Sequence, residues 1–250
     1  MHTRDEFLSV LRGEFPDDRL TFQKAVPTFH PENADEASAF FKLANTHRIP
    51  VFITGFGNNI DPVGKPFTDM VSVRTDRLNT LHDISEEHLT AHVGGGYPLI
   101  ELNHNLVENH LMFPHAMLPY VGSIGGALAV GLTGGLHGVA VPMKKYLLEV
   151  ECVTADGEIM RAGTDSKRSA DGPDIARIFS PSWGLLGLLV SVTLRVMPDS
   201  ARSDYEPLRL LAIERELFTG LHDSAADHAD AIYAKKIKAK FDPNGILPIV

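Results

Sequence analysis

The stretch from Pro119 to Gly138, reading PYVGSIGGALAVGLTGGLHG, places seven glycines in twenty residues and carries no Asp, Glu, Lys or Arg. Backbone without Cβ atoms can approach a bulky ligand closely and turn through φ > 0. Successive N–H groups in such a segment form concave nests that suit phosphate oxygens. A flexible linker would mix its glycines with serine and charge. Here they are interleaved with Ile124, Leu128, Val130 and Leu132. The segment reads as a buried ligand cradle.

The rest of the chain narrows the ligand class. Its 250 residues suffice for one large domain or two small ones, and the net charge of -9 argues against general nucleic-acid binding. That charge does not forbid phosphate binding, because backbone amides supply their own local positive field. No run approaches the roughly 20 apolar residues that span a bilayer. The start, MHTRDEFLSVLRGEF, is too charged for a secretory segment. A single cysteine, Cys152, excludes an intrachain disulfide, so a cytoplasmic location is expected. Cys152 itself is expected to be a buried apolar residue.

Apolar spacing predicts an amphipathic helix from Met1 to Phe22 and a second from Pro31 to just before Pro50. Val51-Phe52-Ile53 is a short strand that runs straight into Gly55-Phe56-Gly57-Asn58-Asn59. Strands are also expected over Met70–Thr75 and Leu89–Val93, the latter stopped by Gly94-Gly95-Gly96. A helix then carries Leu99, Leu102, Leu106 and Leu111. Leu147–Thr154 and Ile159–Ala162 form a hairpin across Asp156-Gly157. Over Leu188–Met197 the alternation is clean, with Leu188, Val190, Val192, Leu194 and Val196 on one face. Residues 199–206 read as a linker, and Ala225–Lys240 as a helix. Strands and helices are mixed without a strict βαβ rhythm, which favours an α+β class.

Three segments, in this order, carry a family resemblance: PVFITGFGNN (residues 50–59), GSIGGALA (122–129) and FSPSWGLLGLL (179–189), with the ending FDPNGIL in support. Together they resemble FAD-linked oxidases of the vanillyl-alcohol oxidase and p-cresol methylhydroxylase type. Within that superfamily the third segment is most similar to glycolate oxidase FAD subunits and D-2-hydroxyacid dehydrogenases. The resemblance implies a two-lobed α+β FAD-binding domain over residues 22–198, with lobes at about 22–80 and 81–198. An N-terminal helix over 1–21 precedes it, and a linker with a short helical tail over 199–250 follows. It also implies roles for individual residues. Ile53, Thr54, Gly55, Phe56, Gly57, Asn58 and Asn59 form the first pyrophosphate loop. Pro119, Gly122, Ser123, Ile124, Gly125 and Gly126 close on the pyrophosphate from the other lobe. Thr133, Gly134 and the residues to Gly138 pass near the flavin or ribityl chain, and Leu188 and Leu189 offer backbone contacts.

Two departures from the family pattern shape the functional expectation. Many members attach FAD covalently through a histidine after the G-x-G turn, where this chain has Asn58, so non-covalent FAD is expected, with His137 the fallback linkage site. Relatives also carry a substrate-covering cap of some 200 residues before the D-P-N-G ending, whereas only about 43 residues separate Pro198 from Asp242. The cap's metal and substrate ligands cannot be transferred, and no metal site is expected among the twelve histidines. A homodimer or hetero-complex is expected to cover the flavin face. The expected activity is oxidation of an alcohol or 2-hydroxy acid, with His115, Tyr120 and His137 as candidate proton-handling residues. The alternative is an electron-relay subunit without its own substrate site. A reductase of the UDP-N-acetylenolpyruvoylglucosamine type, sharing the FAD fold, is a third reading.

Overall fold

A computed structural model of the chain describes residues 4–23, 26–59, 62–163, 175–212 and 229–249. Two sheets organise it. The first has four strands in the order β1-β2-β4-β3, namely β1 (Leu20–Gln23), β2 (Val26–Phe29), β3 (Val51–Thr54) and β4 (Val71–Arg74). β2, β4 and β3 run parallel, and β1 pairs antiparallel with β2. Helices α1 (Arg4–Glu14) and α2 (Ala34–His47) bury Phe7, Leu8, Leu11, Phe40 and Phe41 against this sheet. Asn33 caps α2 by accepting the Glu36 amide at 2.9 Å. Arg48, at φ 56°, ends the helix in the left-handed region just before Pro50.

The second sheet is antiparallel, with order β11-β10-β12-β6-β5. Its strands are β5 (Leu81–Ser85), β6 (Thr90–Gly94), β10 (Leu147–Val153), β11 (Ile159–Gly163) and β12 (Leu188–Arg195). Its inner face packs on the short helices α3 (Leu102–Leu106) and α4 (Ile124–Ala129). Smaller pairings join β7 (Leu111–Met112) to β13 (Met197–Pro198), and β8 (Thr133–Leu136) to both β9 (Val139–Pro142) and β14 (Arg209–Leu210). Val153, Leu188 and Val190 of the second sheet, with Ala155 just past β10, lie in one apolar cluster with Phe29 of the first sheet and with Phe7 and Phe40 of its helices, so the two layers share packing. The chain's far end joins that cluster through Ile246 and Leu247. Val51 N–H donates to the Ile246 carbonyl at 2.7 Å. Among the described residues no helix is long and apolar enough to cross a membrane.

Four elements differ from the sequence expectation. The N-terminal helix stops at Glu14 rather than Phe22, because Pro16 disfavours helical backbone before it, and Leu20–Gln23 forms a strand instead. The helix expected through Leu111 breaks at His110, whose φ of 53° turns the chain into β7. In β12 the register against β10 shifts near Val190. Leu188 and Val190 then face one core while Val192 and Leu194 face the other, so the alternation does not mark a single face. Residues 199–206 are a 3-10 turn and helix α5 (Arg202–Tyr205) rather than a linker. The C-terminal helix α6 runs Ala229–Phe241, and the expected start at 225–228 lies outside the described residues.

Candidate functional site

In open sheets with parallel strands, ligands bind outside the carboxyl ends of those strands. Here β3 leaves the sheet through Ile53 and Thr54 into Gly55–Asn59, and β4 ends at Arg74, just before Thr75. Both ends border a cleft of about 720 Å³ that opens to solvent. The opposite wall is Tyr120, Gly122, Ser123, Gly125 and Gly126, and a third wall comes from Ser182, Trp183, Gly184, Gly187 and Leu189. Among the described residues, no side chain lining the cleft is charged, and none is His or Cys.

The two glycine loops touch. A Cβ on Gly55 would lie 2.6 Å from Ser123 Oγ, so this approach requires glycine. Asn58 Nδ2 donates to the Val121 carbonyl, and Asn59 Nδ2 reaches the Tyr120 hydroxyl at 3.5 Å. From the sheet side, the Arg74 guanidinium donates to the Phe56 carbonyl at 3.3 Å. Arg74 in turn lies beside Asp76 at 3.5 Å, and Asp76 pairs with His30 at 2.7 Å. Side-chain bonds therefore hold the first loop from both directions.

The amides divide into two sets. Ile124 N–H donates to Tyr97, Gly125 N–H to Gly95, and Gly126 N–H to the capping Ser123 Oγ, all between 2.8 and 3.1 Å. Those three are engaged within the protein. A Cβ on Gly125 would sit 2.7 Å from the Gly95 carbonyl oxygen, so glycine at 125 serves the packing of α4 on the Gly94–Gly96 turn. By contrast, the amides of Gly55, Phe56, Gly57, Gly122 and Ser123 donate to no backbone carbonyl among the described residues. An uncharged cleft edged by uncommitted N–H groups can hold an anionic bridge by charge-assisted hydrogen bonds alone.

Of the candidate proton-handling residues, only Tyr120 lines the cleft. Burial pushes its phenol up, partly opposed by the Asn59 hydrogen bond, so it keeps its proton at neutral pH. His115 is completely buried away from the cleft. Its Nε2 donates to the Val141 carbonyl at 2.8 Å, its ring packs against those of Phe113 and Tyr146, and Nδ1 has no partner among the described residues. Burial pushes the imidazole down to about 4, so it is neutral and tethers strand β9. His137 and Gly138, with φ of 50° and 80°, form the exposed two-residue turn between β8 and β9.

Several expected cofactor residues lie off the cleft wall. Pro119 is exposed just before the second loop, Ile124 is in the core, and Leu188 faces the core shared between the sheets. Thr133 and Gly134 belong to the β8–β9 hairpin rather than the wall. The lining residues that sequence reasoning missed are Thr75, Ala129, Val130, Ser182, Trp183, Gly184 and Gly187. A signal for the 182–187 group existed, since the third motif segment spans it. Ser182 and Trp183 N–H both donate to the Ala129 carbonyl, which brings that segment to the end of α4.

Residues 27–163 match the family model described as FAD binding domain. D-lactate dehydrogenase of Archaeoglobus fulgidus is 26% identical over 78% of this chain and 46% of its own length. The glycolate oxidase subunit GlcD of Bacillus subtilis is 27% identical over 83% of this chain and 42% of its own. The chain thus spans less than half the length of these relatives. Among solved structures, alkyldihydroxyacetonephosphate synthase superposes with a TM-score of 0.62 at 20% identity, covering 78% of this chain and 40% of that one. p-Cresol methylhydroxylase gives 0.59 at 16% identity, covering 78% and 43%. These two likenesses speak to the fold alone, a mixed α and β architecture of the p-cresol methylhydroxylase type. With over half of its residues matched by the family model, the chain belongs to the FAD binding domain family, and FAD is its cofactor.

Proposed function

We propose that the chain holds FAD non-covalently in the cleft between Gly55–Asn59 and Gly122–Gly126, and that it serves an oxidoreductase acting on an alcohol or 2-hydroxy acid. The observation that carries this reading is the meeting of both glycine loops on one uncharged cleft, with uncommitted amides on each side. When bound, FAD supplies a hydride acceptor at flavin N5. The amides of Gly55, Phe56, Gly57, Gly122 and Ser123 would bind its diphosphate. Asn58 and Asn59 keep the two loops together, which fixes those amides before the ligand arrives. Asn58 at the position after the G-x-G turn, and a described lining without His or Cys, favour non-covalent attachment. The names of the relatives, a D-lactate dehydrogenase and a glycolate oxidase subunit, favour a 2-hydroxy acid.

In this reading Tyr120 donates a hydrogen bond and does not abstract a proton, because burial keeps its phenol protonated. Among the described residues, no other lining side chain can act as a base at neutral pH. The base would therefore arrive with whatever covers the open side: residues within 199–240, a second copy of the chain, or a different subunit. The same observation favours a second reading, in which the chain relays electrons for a partner that holds the substrate.

The test is to add a panel of 2-hydroxy acids, polyols and lactones anaerobically to purified holoprotein. Loss of the visible flavin band with one compound alone supports the enzyme reading and removes the relay. Loss only with a partner fraction present supports the relay. Acid precipitation that leaves the yellow colour in the pellet refutes non-covalent attachment.

A further inference from the structure

Along β4 the inward-facing row is Val71, Val73 and then Thr75, one residue beyond the strand's end. Val71 and Val73 are completely buried in the cluster with Phe7 and Phe29. The alternate row is polar and hydrogen-bonded: Ser72 Oγ donates to Thr28 Oγ1 at 2.7 Å, and the Arg74 guanidinium donates to the Phe56 carbonyl. Thr75 is thus the first polar residue on an otherwise apolar row, placed where that row leaves the core and borders the cleft.

Its backbone is fully used. The N–H donates to Thr54 at 3.1 Å, and the carbonyl accepts from Leu78 at 2.8 Å. Its side chain is not. Thr75 is 4% exposed, and its hydroxyl has no partner among the described residues. A buried hydroxyl without a partner opposes folding, whereas valine has the same shape and no such penalty. The position therefore carries a hydroxyl that the fold does not need, at the edge of the ligand cleft.

We propose that Thr75 is a binding residue for the cofactor, donating its Oγ1 hydrogen bond to an acceptor atom of FAD. Rotation about χ1 sets whether the hydroxyl or the methyl group of this cleft-lining residue faces the ligand. The proposal rests on the reading of this cleft as the FAD site. Thr75→Val then separates two effects that a packing residue would couple: the apoprotein keeps or gains thermal stability while FAD binds more weakly.

The apoprotein is titrated with FAD, following flavin fluorescence and the emission of Trp183, the chain's single tryptophan. Thr75→Val is expected to raise the FAD dissociation constant about 3- to 10-fold, the net worth of one hydrogen bond. Its apo melting temperature is expected to be unchanged or higher. Thr75→Ser, which keeps the hydroxyl, is expected to stay within about twofold of wild type by the same reckoning. Equal affinity for wild type and Thr75→Val overturns the proposal. So does a Thr75→Val protein that fails to fold, or a Thr75→Ser loss as large as that of valine, since each makes the residue a packing element. Failure of wild type itself to bind FAD overturns this proposal and the cleft assignment together, whereas normal wild-type binding with an unaffected valine variant removes this proposal alone.

Discussion

Acidification should find His115 before it finds most of the protein. The imidazole is buried against Phe113 and Tyr146 and is held at about 4, against an ordinary value of 6.5. Because the folded value lies below the unfolded one, the unfolded chain binds this proton first. The stability is fully present above pH 6.5 and drains away as pH falls toward 4. Between pH 7 and pH 5 this one group removes about 2 kcal/mol. For a chain of this size that is a fall of roughly 4 to 8 °C in melting temperature. His115→Gln keeps an N–H for the Val141 carbonyl but does not titrate. Its melting temperature should therefore fall by that much less over the same interval, measured by circular dichroism on apoprotein at fixed ionic strength. His92, lowered by burial and by repulsion from His82, titrates in both proteins and cancels in the comparison. Parallel curves for the two proteins would refute the buried, neutral tether. A His115→Gln holoprotein with unchanged stability but no substrate-dependent bleaching would refute its separation from the cleft.

The adjacent glycines of α4 should respond differently to one added methyl group. Gly125→Ala drives Cβ against the Gly95 backbone at 2.7 Å and should destabilise the apoprotein by about 1 to 3 kcal/mol. Gly126→Ala meets Ser123 Oγ at 3.0 Å and the cleft itself, so it should spare the melting temperature and weaken FAD binding. Equal loss of stability in both would contradict this division of labour. Cys152 is completely buried, and burial pushes its thiol up to about 12. It should resist alkylation at pH 8 in the native protein and react once denatured, as read by mass spectrometry; rapid native labelling would contradict the packing of β10.

Where sequence and structure agree, the signal was local. Val51–Ile53, Leu147–Thr154 and the Asp156-Gly157 turn were legible because side-chain period and turn chemistry specify them within a few residues, and Gly157 takes φ 83° as that turn requires. The glycine loops at 55–59 and 122–126 were legible as ligand-facing for the same reason. Strand β8 was not: Thr133-Gly134-Gly135-Leu136 carries no alternation, and its partners are β9, across the His137-Gly138 turn, and Arg209–Leu210, over 70 residues away. The bulge that redirects β12 at Val190 likewise depends on β10. Thr75 became part of the cleft because of where β4 ends in three dimensions, and no neighbour in sequence announces it. His115 misled because proximity to a ligand loop in sequence is not proximity in space; the ring turns inward to β9.

The packing of Val153, Ala155, Leu188 and Val190 with Phe7, Phe29 and Phe40 bears on how a tightly held ligand leaves. Separating the two sheets like an opening book would expose that whole apolar seam to water, which makes it a global event rather than a breathing motion. The Asn58 and Asn59 tethers are a far smaller obstacle, two side-chain bonds at the cleft mouth. Exchange of the bound nucleotide should therefore proceed by slackening one loop while the body stays folded. Its rate should follow substitutions at those two asparagines and ignore mild denaturant until the protein as a whole gives way.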